Sequence, residues 1–108
     1  MKKEINLGDI FWFIAEGDIA HPHVVINLDS EKATICSITT NTKKLNMPGN
    51  VILDPGEGNL DKQSIVEVSK TFVVNKEELK DFIGTLSSDR IAEVQKGIGF
   101  LKRTYFVN

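Results

Sequence analysis

The chain has 108 residues, a formal net charge of −2, 41% hydrophobic residues and 26% charged residues. These values are typical of one globular domain and exclude a disordered or fibrous protein. The slightly acidic balance gives no reason to expect strong, sequence-independent binding to nucleic acid. The longest apolar run is far shorter than the roughly 20 residues of a membrane-spanning helix, and no apolar signal segment follows Met1. We therefore expect one domain over residues 1–108, in the cytoplasm and away from the membrane.

Motifs of cofactor and metal chemistry are missing from the sequence. Cys36 is the only cysteine, which excludes an internal disulfide and a zinc site made of several thiolates. No phosphate-binding glycine loop, metal-ligand spacing or serine-nucleophile motif occurs. We expect no metal and no cofactor, and we expect Cys36 to fill space in a strand.

The first two thirds of the sequence predict strands separated by turns. Aromatic and β-branched residues favour a strand over residues 10–15, and a second strand, residues 21–28, follows after a short connection. The two are expected to pair as an antiparallel hairpin. A third strand is predicted from Lys32 to about Thr40, and a loop with a lysine pair leads to a short fourth strand at Val51–Leu53.

The next segment contains a dense turn followed by more β-structure. Residues 54–59 combine proline, glycine and asparagine, which predicts turns. Residues 60–63 are predicted to form one helical turn. Residues 64–74 alternate imperfectly between polar and apolar, which predicts either one long bent strand or two short ones.

The end of the chain is predicted to be helical. Asn75 and Glu78 have the spacing of a capping box, so a short helix is expected over residues 76–83, ended by Gly84 in a left-handed cap. Ser87 is placed to cap a second helix. Its apolar stripe consists of Ile91, Val94, Ile98 and Leu101. Gly97 and Gly99 weaken this helix and indicate a close approach to another element.

Five or six strands followed by helices, without alternation of the two, predict an α+β fold that is mostly β. The expected architecture is a small curled antiparallel sheet or open barrel, with the terminal helices laid against it. The apolar stripe of the second helix is expected to pack on the sheet.

Two histidines flank a proline at the start of the second strand. Because proline lacks an amide proton, it belongs at the beginning of a strand, which places His21 and His23 at the mouth of the strand. A period of two puts both imidazoles on one face and Val24, Ile26 and Leu28 on the other. The pair can form part of a site, or it can be two ordinary surface histidines.

Several segments, in this order along the chain, resemble the MazF/PemK/Kid family of bacterial toxins. They are Gly8-Asp9-Ile10 before an apolar strand, the strand from Pro22, Ile38-Thr39-Thr40-Asn41, Pro48-Gly49-Asn50-Val51-Ile52-Leu53, Asp61-Lys62-Gln63-Ser64-Ile65-Val66, Val74-Asn75-Lys76 and Ile83-Gly84-Thr85-Leu86-Ser87. The resemblance implies an SH3-like antiparallel barrel of the CcdB/Kid/MazF type with a C-terminal helix. It also implies a homodimer that binds single-stranded RNA in a groove and is restrained by an antitoxin protein. The implied reaction is metal-independent endoribonuclease cleavage through attack of the ribose 2′-OH.

The resemblance also indicates site residues. The family places an arginine before the proline of the second strand and a threonine or serine at the end of the third, and these positions are His21 and Thr39 here. Histidine cannot grip a phosphate as an arginine fork does, but it is the commonest general acid or base. We therefore expect His21, Thr39 and His23 to be catalytic. The expected RNA-binding residues are Thr40, Asn41, Lys43 and Lys70.

Two other functions remain open from the sequence. The chain can be a non-catalytic module that binds RNA or a protein through the same barrel, because a fold does not fix a function. It can also be a toxin that poisons a protein such as gyrase, as the related CcdB does. Glu16 and Asp18 are candidate carboxylate partners for an imidazole, although acids in turns are usually solvated.

Overall fold

The computed structural model describes residues 4–15, 17 and 19–103. In these residues, six strands form one antiparallel sheet with the order β4-β5-β3-β2-β1-β6. The strands are β1 (Asp9–Ile14), β2 (Ala20–Leu28), β3 (Lys32–Thr39), β4 (Val51–Leu53), β5 (Ser64–Asn75) and β6 (Phe82–Thr85). Helix α1 (Ser88–Leu101) follows β6 and packs against the curled sheet. The predicted α+β architecture, with a β1–β2 hairpin and a C-terminal helix, is confirmed.

Apolar residues are buried on both faces of the sheet. Neighbours such as Ile10 and Phe11, or Val24 and Val25, belong to different apolar clusters, as expected when successive side chains point to opposite faces. The first cluster contains the apolar residues of helix α1, and the second contains Phe11, Phe13, Val25, Ala33, Ile35, Val74 and Leu79. The prediction that β2 has one core face was therefore incomplete. A register shift between Val25 and Asn27 also moves Leu28 to the second cluster, away from Val24 and Ile26.

Helix α1 forms as predicted. Ser87 caps it, since the Ser87 hydroxyl accepts a hydrogen bond from the Arg90 N–H at 3.3 Å. Val94 and Leu101 are buried against the first cluster, and Ile91 and Ile98 are partly buried there. The predicted close approach occurs at Gly97, where a β-carbon would overlap the carbonyl oxygen of Gly49.

The predicted helix over residues 76–83 is wrong. Glu78 accepts a hydrogen bond from the Asn75 N–H at 2.9 Å, but the helix is only the 3₁₀ turn Lys76–Glu78. The chain then becomes extended because it pairs with β1: the Lys80 N–H donates to the Trp12 carbonyl at 2.9 Å. Gly84, expected to end that helix in a left-handed cap, lies inside β6, which lines the edge of the sheet.

The segment before β5 also differs from expectation. The predicted helical turn over residues 60–63 does not form, and the turn there is instead the 3₁₀ segment Glu57–Asn59. The left-handed Gly56 and Gly58 allow the chain to reverse at this point.

Strand β5 is one long strand with a bulge in its middle. On β3, Cys36 pairs with Thr71, while the next residue, Ser37, pairs with Glu67. Three residues of β5 therefore have no pairing partner on β3. They are Val68, Ser69 and Lys70. Bulges of this kind bend a strand and redirect its side chains, often beside active sites.

Candidate functional site

A polar cleft of about 460 Å³ lies where the start of β2, the end of β3 and the β5 bulge meet. Its lining residues are Ala15, His21, His23, Ser37, Thr39, Asn41, Lys44, Glu67, Ser69, Lys70, Thr71 and Phe72. The structure thus brings together five of the seven residues that the sequence indicated. Of the other two, Thr40 lines a neighbouring cleft, whereas the exposed Lys43 lines neither.

The neighbouring cleft is of similar volume and mainly apolar. Its apolar lining comes from Trp12, Ile19, Ala20, Pro22, Ile38, Leu60 and Ile83. His21 and Thr39 line both clefts. His23 pairs with Ser37 in the antiparallel register. Continuing this register by two residues on each strand places His21 opposite Thr39. A linear polymer bound in the polar cleft would meet this imidazole and this hydroxyl at the boundary with the apolar cleft.

The Thr39 hydroxyl is held by the turn that follows β3. Its oxygen accepts a hydrogen bond from the Asn41 N–H at 3.1 Å. The Asn41 side chain in turn accepts from the Lys43 N–H at 3.0 Å and caps the 3₁₀ turn Thr42–Lys44. Because Thr39 uses its oxygen as the acceptor, its proton is available for donation to an anion.

His23 is fixed among aromatic rings. Its side chain is buried, and the rings of Phe13 and Phe72 lie 5.2 Å and 5.7 Å from the imidazole. Nδ1 is 2.9 Å from the carbonyl oxygen of His21. A carbonyl can only accept, so Nδ1 carries a proton, and Nε2 is the basic nitrogen of the neutral ring.

Two lysines share a buried carboxylate in the polar cleft. Lys44 Nζ lies 3.8 Å and Lys70 Nζ 3.7 Å from the same Glu67 oxygen, and the Glu67 side chain is only 5% exposed. The sequence did not indicate Glu67 as a site residue. Of the two neighbouring lysines, Lys43 rather than Lys44 was expected to bind RNA. The available signal was one charged residue in the apolar run Ile65-Val66-Glu67-Val68, because a carboxylate inside a strand is seldom buried without a partner.

Cys36 is a structural residue behind this cleft. Its thiol donates to the Glu67 carbonyl at 3.0 Å. Burial, with a smaller contribution from the Glu67 charge, raises the pKa of the Cys36 thiol to about 12. A thiol with so high a pKa is not a nucleophile at neutral pH, so Cys36 anchors the backbone at Glu67.

The described residues contain neither a cluster of metal ligands nor a helix able to span a membrane. In residues 4–15, 17 and 19–103, no three His, Cys, Asp or Glu side chains come together as metal ligands would. Over the same residues, no helix has the length and apolar character needed to cross a membrane. The candidate partners Glu16 and Asp18 lie outside the described residues.

Comparison with known families identifies the chain. Residues 6–101 match the family described as the PemK-like, MazF-like toxin of type II toxin-antitoxin systems. The chain belongs to this family. The match covers every strand and helix α1, so the MazF-like domain includes both clefts.

MazF-like relatives resemble the chain in sequence and in fold. Endoribonuclease MazF2 of Mycobacterium bovis and endoribonuclease MazF6 of Mycobacterium tuberculosis are each 35% identical over 83 residues, which is 71% of this chain and 73% of theirs. A mycobacterial endoribonuclease solved in complex with its cognate antitoxin has a TM-score of 0.77 at 14% identity, covering 96% of this chain and 100% of its own. The toxin MazF-mt6 of M. tuberculosis has a TM-score of 0.71 at 20% identity, covering 85% and 93%.

Proposed function

We propose that this MazF-like chain is a toxin endoribonuclease that cleaves single-stranded RNA without a metal ion. The observation that carries the proposal is the polar cleft, in which His21, His23 and Thr39 lie beside two lysines. The chain's family and the curated relatives named endoribonuclease give the reaction class.

The proposed reaction needs a base for the ribose 2′-OH, an acid for the leaving 5′-oxygen and stabilisation of the phosphorane. His23, whose Nε2 is the basic nitrogen, takes the proton from the 2′-OH. The 2′-oxygen then attacks phosphorus, and the bond from phosphorus to the 5′-oxygen breaks. Protonated His21 donates its proton to that oxygen, which leaves a 2′,3′-cyclic phosphate and a 5′-hydroxyl.

The remaining polar groups of the cleft stabilise the negative charge of the phosphorane. The Thr39 hydroxyl donates to one phosphate oxygen, and the ammonium groups of Lys44 and Lys70 supply positive charge. Next to Thr39, Asn41 lines the polar cleft and Thr40 lines the apolar cleft. Both residues contact the nucleotides beside the reacting phosphate. Lys43, exposed on the 3₁₀ turn, contacts the RNA backbone beyond the cleft.

A cognate antitoxin is the proposed partner that keeps this activity in check. One structural relative was solved in complex with its cognate antitoxin. We propose that the antitoxin of this chain covers the polar cleft, and that the active unit is a homodimer located in the cytoplasm.

Product analysis tests the proposed function. The purified chain is incubated with a mixed-sequence RNA and a chelator, and in parallel with the same sequence fully 2′-O-methylated. We expect cleavage of the RNA only, with 2′,3′-cyclic phosphate and 5′-hydroxyl ends, because the methylated ribose has no nucleophile. Binding of both RNAs without cleavage of either would instead identify a non-catalytic RNA-binding module.

A further inference from the structure

The buried carboxylate of Glu67 is a charged group that the proposed reaction does not use. Its side chain is 5% exposed, yet it lines the polar cleft where a polyanion is proposed to bind. A carboxylate at such a position repels phosphate. Its presence therefore requires a function other than direct contact with RNA.

The β5 bulge explains how Glu67 meets Lys70. In a regular strand, residues three apart point to opposite faces of the sheet. Here Val68, Ser69 and Lys70 lie between the paired residues Glu67 and Thr71, and the Lys70 ammonium returns to within 3.7 Å of the Glu67 carboxylate. The bulge thus brings the two side chains into one cleft.

Lys44 reaches the same oxygen from a different segment of the chain. It comes from the 3₁₀ turn after β3, and its Nζ lies 3.8 Å from Glu67 Oε2. Two ammonium groups this close together repel each other, and the buried carboxylate between them offsets that repulsion. Without Glu67, both long side chains would move apart into solvent.

The geometry of these ion pairs leaves the lysines able to bind phosphate. Both separations exceed the 2.7–3.2 Å typical of a hydrogen bond, so the attraction holds each ammonium near the cleft without using its N–H groups on Glu67. The side chains are 30% and 54% exposed for Lys44 and Lys70. Their N–H groups can turn towards an incoming phosphate.

We propose that Glu67 is a positioning residue: its buried carboxylate holds the ammonium groups of Lys44 and Lys70 together, where they contact the reacting phosphate. This inference rests on the proposed function, since it assigns a role within that reaction. Thr39 and the histidines do not depend on Glu67 in this account, so cleavage is slowed without it but not abolished.

The test is the steady-state cleavage of RNA by Glu67→Gln, which removes the charge and keeps the shape. We expect kcat to fall on the order of tenfold, because the lysines lose their position, an effect smaller than removal of a direct donor. KM should fall about threefold, because the cleft loses one negative charge and attracts RNA more strongly. A purely structural role would not move kcat and KM downward together.

The matched control is Glu77→Gln, which changes the net charge equally at an exposed residue outside both clefts and should leave both constants unchanged. In a background with Lys44→Met and Lys70→Met, Glu67→Gln should no longer lower kcat. If Glu67→Gln does not fold, Glu67→Asp is used, which retracts the charge and should lower kcat with KM unchanged.

Three results distinguish failure of this inference from failure of the proposed function. If the parent cleaves RNA and the Glu67 variant has the same kcat and KM, the inference is wrong and the proposed function stands. The same holds if kcat falls equally with and without the two lysines. If the parent cleaves no RNA, the proposed function fails and the role of Glu67 fails with it.

Discussion

Arg90 joins helix α1 to the turn before β5, where it lies close to Asp54 and Glu57. Its Nε and Nη2 donate to the two oxygens of Glu57 at 2.9 Å and 2.8 Å, and Nη1 donates to Glu93 at 3.2 Å. The hydrogen bonds from Arg90 are the main cause that lowers the pKa of Glu57 from its usual 4.5. A bidentate pair of this kind is stronger than an ordinary surface ion pair.

The lowered pKa predicts an acid-dependent contribution to stability. Because the folded state binds the Glu57 proton more weakly than the unfolded state, the stabilisation is present above the unfolded pKa and is lost as pH falls through the folded value. We expect Glu57→Gln to lower the free energy of unfolding by about 1 kcal/mol at pH 7. In urea unfolding, the difference from the parent should disappear at the acid end of a pH series. A difference that stays constant below pH 4.5 would contradict this assignment.

Single residues of the site were predictable to different degrees. His21 was indicated by the neighbouring proline and by the family resemblance, and Thr39 by the resemblance. The structure places both at the boundary of the two clefts. The meeting of Glu67 with Lys44 could not be predicted, although the single charge in an apolar run marked Glu67 itself. Their meeting depends on a bulge in β5 and on the direction of a 3₁₀ turn, and neither follows from a side-chain period of two.

Helix α1 approaches the loop before β4 at Gly97, which lies against Gly49 of that loop. A β-carbon at Gly97 would overlap the Gly49 carbonyl and press on Val68 of the β5 bulge. Alanine would favour the helix by up to about 1 kcal/mol, but overpacking typically costs 1–3 kcal/mol.

We therefore expect Gly97→Ala to be destabilising, by about 1 kcal/mol or more, since the obstacle is backbone that cannot move aside. Thermal and urea unfolding measure the effect. The control is Gly99→Ala, where a β-carbon would contact only the flexible Arg103 side chain and the helix should become more stable. Equal gains in stability for both variants would show that the close approach is not tight.

Elements were predicted well where local pattern and tertiary pairing agree. Residues 9–14, 51–53 and 88–101 fold as their composition and caps indicate. The segment after Asn75 was mispredicted because a correct capping signal favoured a helix, while the open edge of β1 favoured a strand. Backbone pairing of Lys80 and Asp81 with Trp12 decided the outcome.

The whole molecule is expected to be a homodimer. Trp12 and Ile19 are exposed apolar side chains, 40% and 71% accessible, and they lie at the apolar cleft beside the end of β3. Sedimentation at micromolar concentration should give about twice the chain mass of 12.0 kDa. We expect Ile19→Asp to shift the protein to monomer, since it places a charge in the interface.

Val73→Asp is the matched control for the dimer, because Val73 is 66% exposed on β5 and lines neither cleft. It should sediment like the parent. A strictly monomeric parent would contradict the homodimer. A Val73 variant that dissociates while the Ile19 variant stays dimeric would place the interface elsewhere.

The central claim is that His21 acts as the proton donor in metal-independent cleavage of RNA, and the rate measured in chelator from pH 5 to 9 tests it most directly. Only a protonated imidazole can donate the proton, so the parent rate should fall towards the alkaline end of this range. His21→Ala should lose about 10²- to 10⁴-fold, whereas Asn27→Ala, an exposed residue of the same strand, should cleave like the parent. Cleavage by His21→Ala at the parent rate would contradict the role of His21. A parent that is inert at every pH, while His21→Arg cleaves, would contradict the proposed activity.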